Sequence, residues 1–244
     1  MAPLRAELAP LLAKVRVARR QRSGGIRVHG GTLGARPVLC LATGDGRESA
    51  EAGVRELLAR YRIDRLVILG VAGGLSRDLA PGDLLLARQV LASEGAAPPP
   101  DPAWLQRAAS VGSARLGTLR LGTLWSAERI LVTAAEKAAL GRQIAPGEPA
   151  AVDLETAVCA RLAAAAGIPY LAVRAISDTA DETLPLDFNR WRDARGRVRQ
   201  AAVALHAVLH PGVIGDLRRL QQRVRLGAER LAEFVTALLA EPKV

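Results

Sequence analysis

Aromatic side chains make up only 3% of the chain, lysine is nearly absent among its 34 basic residues, and cysteine occurs twice. Each scarcity excludes something. With so few rings there is little on which single-stranded bases could stack, the usual companion of a basic nucleic-acid groove. Cys40, in PVLCLAT, and Cys159, in an alanine-rich stretch, read as small buried apolar residues of a reducing compartment, where a disulfide would be unusual. Of three histidines, His206 and His210 stand four apart, yet ALHAVLHP lacks the glutamate of the metalloprotease pattern, so no metal is expected. No apolar run approaches the ~18 residues a membrane span needs, and MAPLRAELAP lacks the basic-then-apolar order of a signal peptide. A cytoplasmic protein is the expectation.

Cofactor signatures are missing as well. Gly70-Val-Ala-Gly73-Gly74 is not the dinucleotide fingerprint, and TGDGRES lacks the lysine of a phosphate-binding P-loop, so no cofactor is expected. Glycine there would still let a ligand lie against bare backbone, or simply form a tight turn after a strand.

What the chain does have is 50% hydrophobic content over 244 residues, enough for one large core, with no compositional break to argue for two domains. Its net charge of +10 invites a nucleic-acid partner. However, Arg107, Arg115, Arg120, Arg129 and Arg142 are scattered rather than grouped, which argues against that partner. Denser basic stretches run from Lys14 to Arg36, without any acid, and through the C-terminal tail.

The pattern predicts a helix over Leu4 to Val17, a hairpin over Ile26 to Gly34 turning at Gly30-Gly31, and a strand over Pro37 to Leu41. Thr43-Gly44-Asp45-Gly46 turns into a helix from about Ser49 to Tyr61. Leu66 to Val71 is apolar throughout, as in a strand buried on both faces. Leu84 to Leu91, after the Pro81-Gly82-Asp83 turn, and Leu116 to Leu124 read as further strands, with a proline-rich loop from Gly95 to Pro102 between them. Strands alternating with helices imply an α/β sandwich.

The most informative stretch is AVDLETAVCARLAAAAGIPYLAVRAISDTADE. Thr156 to Ala166 suits a helix stopped by Gly167 and Pro169, and Ile168 to Ile176 a buried strand running back along it. Glu155 and Asp178 thereby converge, at the strand end where open α/β sheets bind ligands. Two readings stay open: an active-site pair, or a helix-dipole carboxylate and a turn cap.

GVAGGLSRDLAPGDLLLA, AVDLETAVCA and VRAISDTAD together resemble the nucleoside phosphorylase and nucleosidase superfamily, in particular methylthioadenosine/S-adenosylhomocysteine nucleosidases, over roughly residues 4 to 185. The opening LRAEL is similar to that family's first glutamate motif. AAEKAAL, DETLPLDF, RGRVRQAAVALHAVLHPG and the basic C-terminal helix resemble the hopanoid-associated branch, thought to remove adenine from adenosylhopane. The resemblance implies a three-layer α/β/α sandwich around a mixed sheet, often dimeric, acting on a small nucleoside.

It also implies roles. Asp178 would be the general acid that protonates the leaving base, which needs a pKa raised by partial burial, and Ser177 would orient it or the loop. Glu155 would accept hydrogen bonds from the ribose hydroxyls and favour the cationic sugar. Glu7 would be the base that activates water, although the chain begins so close to it that most of the family's first strand is missing: either the start lies upstream or the sheet edge is built differently. Leu154 stands where the family commonly has Met beneath the sugar, and backbone at Ala72 and Gly73 and the segment Arg129 to Leu131 would line base and sugar. At Ile130 the family often has an aromatic. Water is favoured over phosphate: Arg47 beside Gly44-Asp45-Gly46 could hold an anion, but Asp45 would repel it.

Residues 1–210 are thus expected to form the catalytic domain, and 211–244 a basic amphipathic helix packed on it. Leu217, Leu220, Val224, Gly227, Leu231, Phe234 and Leu238 follow a three-four spacing, with Arg218, Arg219, Arg223, Arg225 and Arg230 on the other faces. The helix could pack on the core or another subunit, or touch an anionic membrane. Against the enzyme stands a phosphorylase-like module that has lost catalysis and binds nucleosides or nucleic acid.

Overall fold

The computed structural model describes residues 1–23, 26–116, 119–193 and 198–240. Residues 194–197 of the RGRVRQ segment and the last four residues of the tail expected to end the 211–244 unit lie outside the described residues, as does the side chain of Arg115.

The expected mixed α/β architecture is present. Five strands form the central sheet: β4 (Leu66–Gly74), β5 (Leu84–Ala92), β6 (Leu119–Ser126), β7 (Ala150–Asp153) and β8 (Tyr170–Asp178). Their order is β4-β7-β6-β5-β8, and β8 pairs with β4 again, so the sheet curls into a closed ring. β4 and β8 are parallel to each other and antiparallel to β7 and β5 respectively, whereas β5, β6 and β7 run parallel. The closing contact is short, with Gly73 opposite Val152 and Gly74 opposite Ala151. β8 is buried at every position, and an apolar run with no polar alternation is what a strand covered on both faces requires.

A second sheet of β1 (Arg16–Ser23), β2 (Ile26–Leu33) and β3 (Arg36–Ala42) is antiparallel. The hairpin turn expected at Gly30-Gly31 is not there. Both glycines lie inside β2, and the chain turns instead at Gly34, whose φ is +56°. Gly31 serves a close approach: a Cβ on it would stand 2.3 Å from the Arg16 carbonyl oxygen, next to a bulge in β1. The acid-free basic stretch thus forms this hairpin, where Arg22 opposes Arg27 and Arg20 opposes His29.

Residues 1–3 stitch the two sheets together. Met1 takes Leu69 N–H and gives its amine to the Val67 carbonyl, while Ala2 donates to Leu41 and accepts from Thr43. Residues 1–3 thus lie between β3 and β4.

The helices are α1 (Arg5–Lys14), α2 (Arg47–Arg60), α3 (Pro102–Leu116), α4 (Ala134–Gly141), α5 (Thr156–Ala165), α6 (Gln200–Leu209) and α7 (Ile214–Ala240). α3 takes the leucine at which a strand was expected to begin, and β6 starts at Leu119 instead. α7 lays Gly227, Leu231, Phe234 and Leu238 into a cluster with Leu8, Leu11, Val173 and Ala175. A Cβ on Gly227 would meet that of Ala175 at 2.8 Å, so glycine sets how closely α7 seats on β8. No described helix is long and apolar enough to cross a membrane.

Candidate active site

One short run of backbone, Leu69 to Gly73 in β4, carries the site. Arg174 of β8 reaches it first: fully buried, its Nη1 donates to the Leu69 carbonyl at 2.7 Å. A Cβ on Gly70 would fall 1.8 Å from that Nη1, so the glycine there leaves the space through which the guanidinium passes. The next amide, Val71 N–H, donates to Glu7 Oε1 at 3.0 Å, and Leu4 N–H donates to Oε2 at 2.9 Å. Glu7 is held in the first turn of α1 and buried.

Three carboxylates surround the one guanidinium. Asp153, at the end of β7, pairs with Arg174 Nη2 at 2.5 Å and accepts from Ser126 Oγ at 2.6 Å and from both the amide and the hydroxyl of Thr156. Glu155, two residues on at the entry to α5, accepts from Gly46 N–H at 2.8 Å and is buried. Burial pushes the Glu155 carboxyl up to about 7, with the Asp153 charge adding to it and Arg174 and the Gly46 amide opposing. Burial also raises Glu7, against its two amide donors and Arg174. Burial is thus the main reason both glutamates resist ionising, and the Asp153 charge adds to it.

Asp178 occupies the other end of the same run, opposite Gly73. A Cβ on Gly73 would stand 3.1 Å from Asp178 Oδ2 and 3.5 Å from Val152, so the bare backbone of Gly73 lies between β8 and β7. Ser177 Oγ is 2.6 Å from Asp178 Oδ1 and 3.2 Å from the Ala72 carbonyl. A hydroxyl so placed serves both protonation states of the acid. It donates to Oδ1 of a carboxylate, or accepts from a protonated Oδ1 while donating to Ala72.

Asp178 is buried, and a buried cation pairs with it. Lys137 of α4 has no exposed surface; its Nζ donates to Asp178 Oδ2, to the Thr179 carbonyl at 2.8 Å and to the Glu182 carbonyl at 2.9 Å. These three acceptors satisfy every proton of the ammonium. A cleft of about 210 Å³ opens beside Asp178, lined by Glu182, Leu184 and, from α7, Leu220, Arg219 and Arg223.

The remaining predicted residues flank the run. Ala72 is buried; Leu154 is half-buried and lines a small hollow with Ser126, Ala157 and Arg47. Ile130 is half-buried, and its amide and carbonyl pair at 3.0 and 2.9 Å with the Asn189 side chain, while Leu131 packs on Leu75 and Val152. Asn189 sits in a short 3-10 turn, Phe188–Trp191. Arg47 is engaged by Glu94 at 2.8 Å. Both cysteines are buried, with their thiols pushed up by burial. His206 and His210 stack with ring centroids 4.1 Å apart, and no group of three or more metal-ligating side chains occurs among the described residues.

Arg174, Asp153, Lys137 and Asn189 were missed from the sequence. A signal for Arg174 existed, because a charge inside the otherwise apolar run LAVRAIS must be paired.

Comparison with known proteins gives the family of the chain. A family model of the phosphorylase superfamily matches residues 1–209, and the chain belongs to that superfamily, as an enzyme of it. It is 27% identical over 203 residues to a 5'-methylthioadenosine/S-adenosylhomocysteine nucleosidase of Shewanella baltica, covering 76% of this chain and 85% of the relative. The nucleosidase of the same description in Shewanella oneidensis is 25% identical over an equal span. Among solved structures, futalosine hydrolase of Helicobacter pylori superposes with a TM-score of 0.76 at 19% identity, covering 99% of this chain and 96% of that one. The 5'-methylthioadenosine/S-adenosylhomocysteine nucleosidase of Helicobacter pylori gives 0.77 at 18%, with the same coverage. These likenesses agree in the fold.

Proposed function

We propose that this enzyme hydrolyses the N-glycosidic bond of a purine nucleoside, with adenine as the leaving base. The observation that carries the reading is the buried cluster of Glu7, Asp153 and Glu155 around Arg174: three carboxylates gathered on one cation favour a sugar that becomes cationic as its bond to the base breaks. Asp178 lies at the far end of the same backbone run, which supports its acting on the base.

The reaction then divides along β4. At the Gly73 end Asp178 gives a proton to N7 of the base as the bond between C1′ and N9 lengthens, and Ser177 turns its hydroxyl to follow the change. At the Val71 end Glu155 accepts from the ribose hydroxyls, Leu154 packs under the sugar, and Glu7 takes a proton from the water that adds to C1′. Backbone of Ala72 and Gly73 and the Ile130-Leu131 segment border the base. Lys137 is a positioning residue, fixing one oxygen of Asp178 so that the other faces Ser177. The partner is a small nucleoside, and the 5′ substituent is the variable part; methylthioadenosine and S-adenosylhomocysteine are the substrates named for relatives.

Water is preferred to phosphate because Arg47, the cation nearest the Gly44–Gly46 turn in sequence, is paired with Glu94, and Asp45 lies in that turn. Adenine release from methylthioadenosine, S-adenosylhomocysteine and inosine, each with and without phosphate, tests this. Release independent of phosphate supports it. Absolute phosphate dependence would make the protein a phosphorylase, and nucleoside binding with no release would make it a binding module.

A further inference from the structure

Of the readings the sequence leaves for the long C-terminal helix, packing on the core or a subunit and contact with a membrane, α7 takes core packing, with the apolar stripe of its second half. The unpartnered apolar surface lies one helix earlier. In α6, Leu205, Val208 and Leu209 are 62, 72 and 67% exposed, and Val203 is the helix's only buried residue. Such side chains on successive turns, with Ala201 and Ala204 also exposed, leave a stripe that water does not solvate well.

α6 is held mainly at its ends. Arg199 N–H donates to the Trp191 carbonyl at 2.8 Å, the Trp191 ring lies 4.9 Å from that of His206, and the turn Pro211–Val213 follows directly. The flanks decide what covers the stripe. Residues 188–215 contain five arginines against one aspartate, and no acid occurs between Asp193 and Asp216. An aliphatic helix face set in a basic segment, with a tryptophan at its approach, has the composition of an interfacial helix on anionic lipid. A second copy of the chain is a poorer fit: three such side chains offer on the order of 350 Å², well under the roughly 800 Å² per partner of a stable interface.

We infer that α6 is a docking surface for an anionic lipid bilayer, with Leu205, Val208 and Leu209 entering the headgroup boundary and the flanking arginines meeting lipid phosphates. The same segment is tied to two loops of the site, since Val198 N–H donates to Asp45 at 2.6 Å and Asn189 holds Ile130. A docked α6 therefore presents both loops close to the membrane surface.

Co-sedimentation of the full chain with vesicles tests this without reference to catalysis. The wild type should pellet with phosphatidylcholine vesicles containing phosphatidylglycerol, and far less with phosphatidylcholine alone or in high salt. The triple variant Leu205→Ser/Val208→Ser/Leu209→Ser should lose at least roughly tenfold in partitioning while keeping the wild-type unfolding midpoint, because the replaced side chains are exposed. Val208→Asp alone should act in the same direction. Three results would overturn the inference: a wild type that stays in the supernatant with anionic vesicles, a triple variant that pellets as well as the wild type, or a wild-type dimer in sedimentation velocity that the triple variant dissolves.

Discussion

Arg174 is the residue on which the site depends, because its charge is buried among three carboxylates and threaded past a glycine. Gly70→Ala would drive a methyl into the guanidinium; the expected loss is about 3–5 kcal/mol in denaturant unfolding, that of a broken buried pair. Lys137→Met leaves Asp178 and two carbonyls without their donor and should destabilise by a similar ~3–5 kcal/mol. If Lys137 positions Asp178, the effects of Lys137→Met and Asp178→Asn on kcat combine to less than their product, which a merely structural lysine would not produce.

Glu155 brings a pH dependence whose sign is fixed. Its carboxyl is raised to about 7 in the folded chain from 4.5, so the folded state holds a proton that the unfolded state has already lost across that interval. Stability attached to this group is complete below about 4.5 and falls as pH rises towards 7. In Glu155→Gln, the decline of stability over that interval should be visibly shallower. Glu155 and Asp178 were legible as neighbours from the helix and strand around them, but a helix-dipole carboxylate and a turn cap fitted the spacing equally, and only the resemblance gave them roles and brought in Glu7. Lys137 was not, because nothing in AAEKAAL distinguishes a solvated lysine from one whose helix turns it inward.

Among the elements, α7 illustrates how far periodicity reaches. Its three-four spacing identified the stripe, and burial of Leu231, Phe234 and Leu238 follows it, but spacing could not say which partner the stripe meets. Gly227→Val should lift α7 from β8 and cost about 1–3 kcal/mol by overpacking, read as a lowered unfolding midpoint. β2 shows the opposite failure. A glycine pair ordinarily signals a turn, whereas here the β1 bulge needed one of the pair for close approach, a tertiary demand invisible to a local rule. β1 itself escaped notice because RVARRQRS has too few apolar residues to alternate.

For the whole molecule, topology explains why residues so far apart in the chain share a site. Closing the sheet places β4 between β7 and β8, so the carboxylates at and just beyond the end of β7 and the acid that ends β8 meet along one strand. The α/β class and the neighbouring helix and strand around Glu155 were readable from the alternation of elements; the ring closure was not, since it rests on only two paired positions at glycines. The central claim is that this ring holds a hydrolytic nucleosidase whose acid is Asp178. Its most direct test is adenine release from methylthioadenosine in phosphate-free buffer by the wild type and by Asp178→Asn, with folding of both verified. The account predicts release by the wild type and a loss of about 10²–10⁴-fold or more in the variant; a variant as active as the wild type would contradict it.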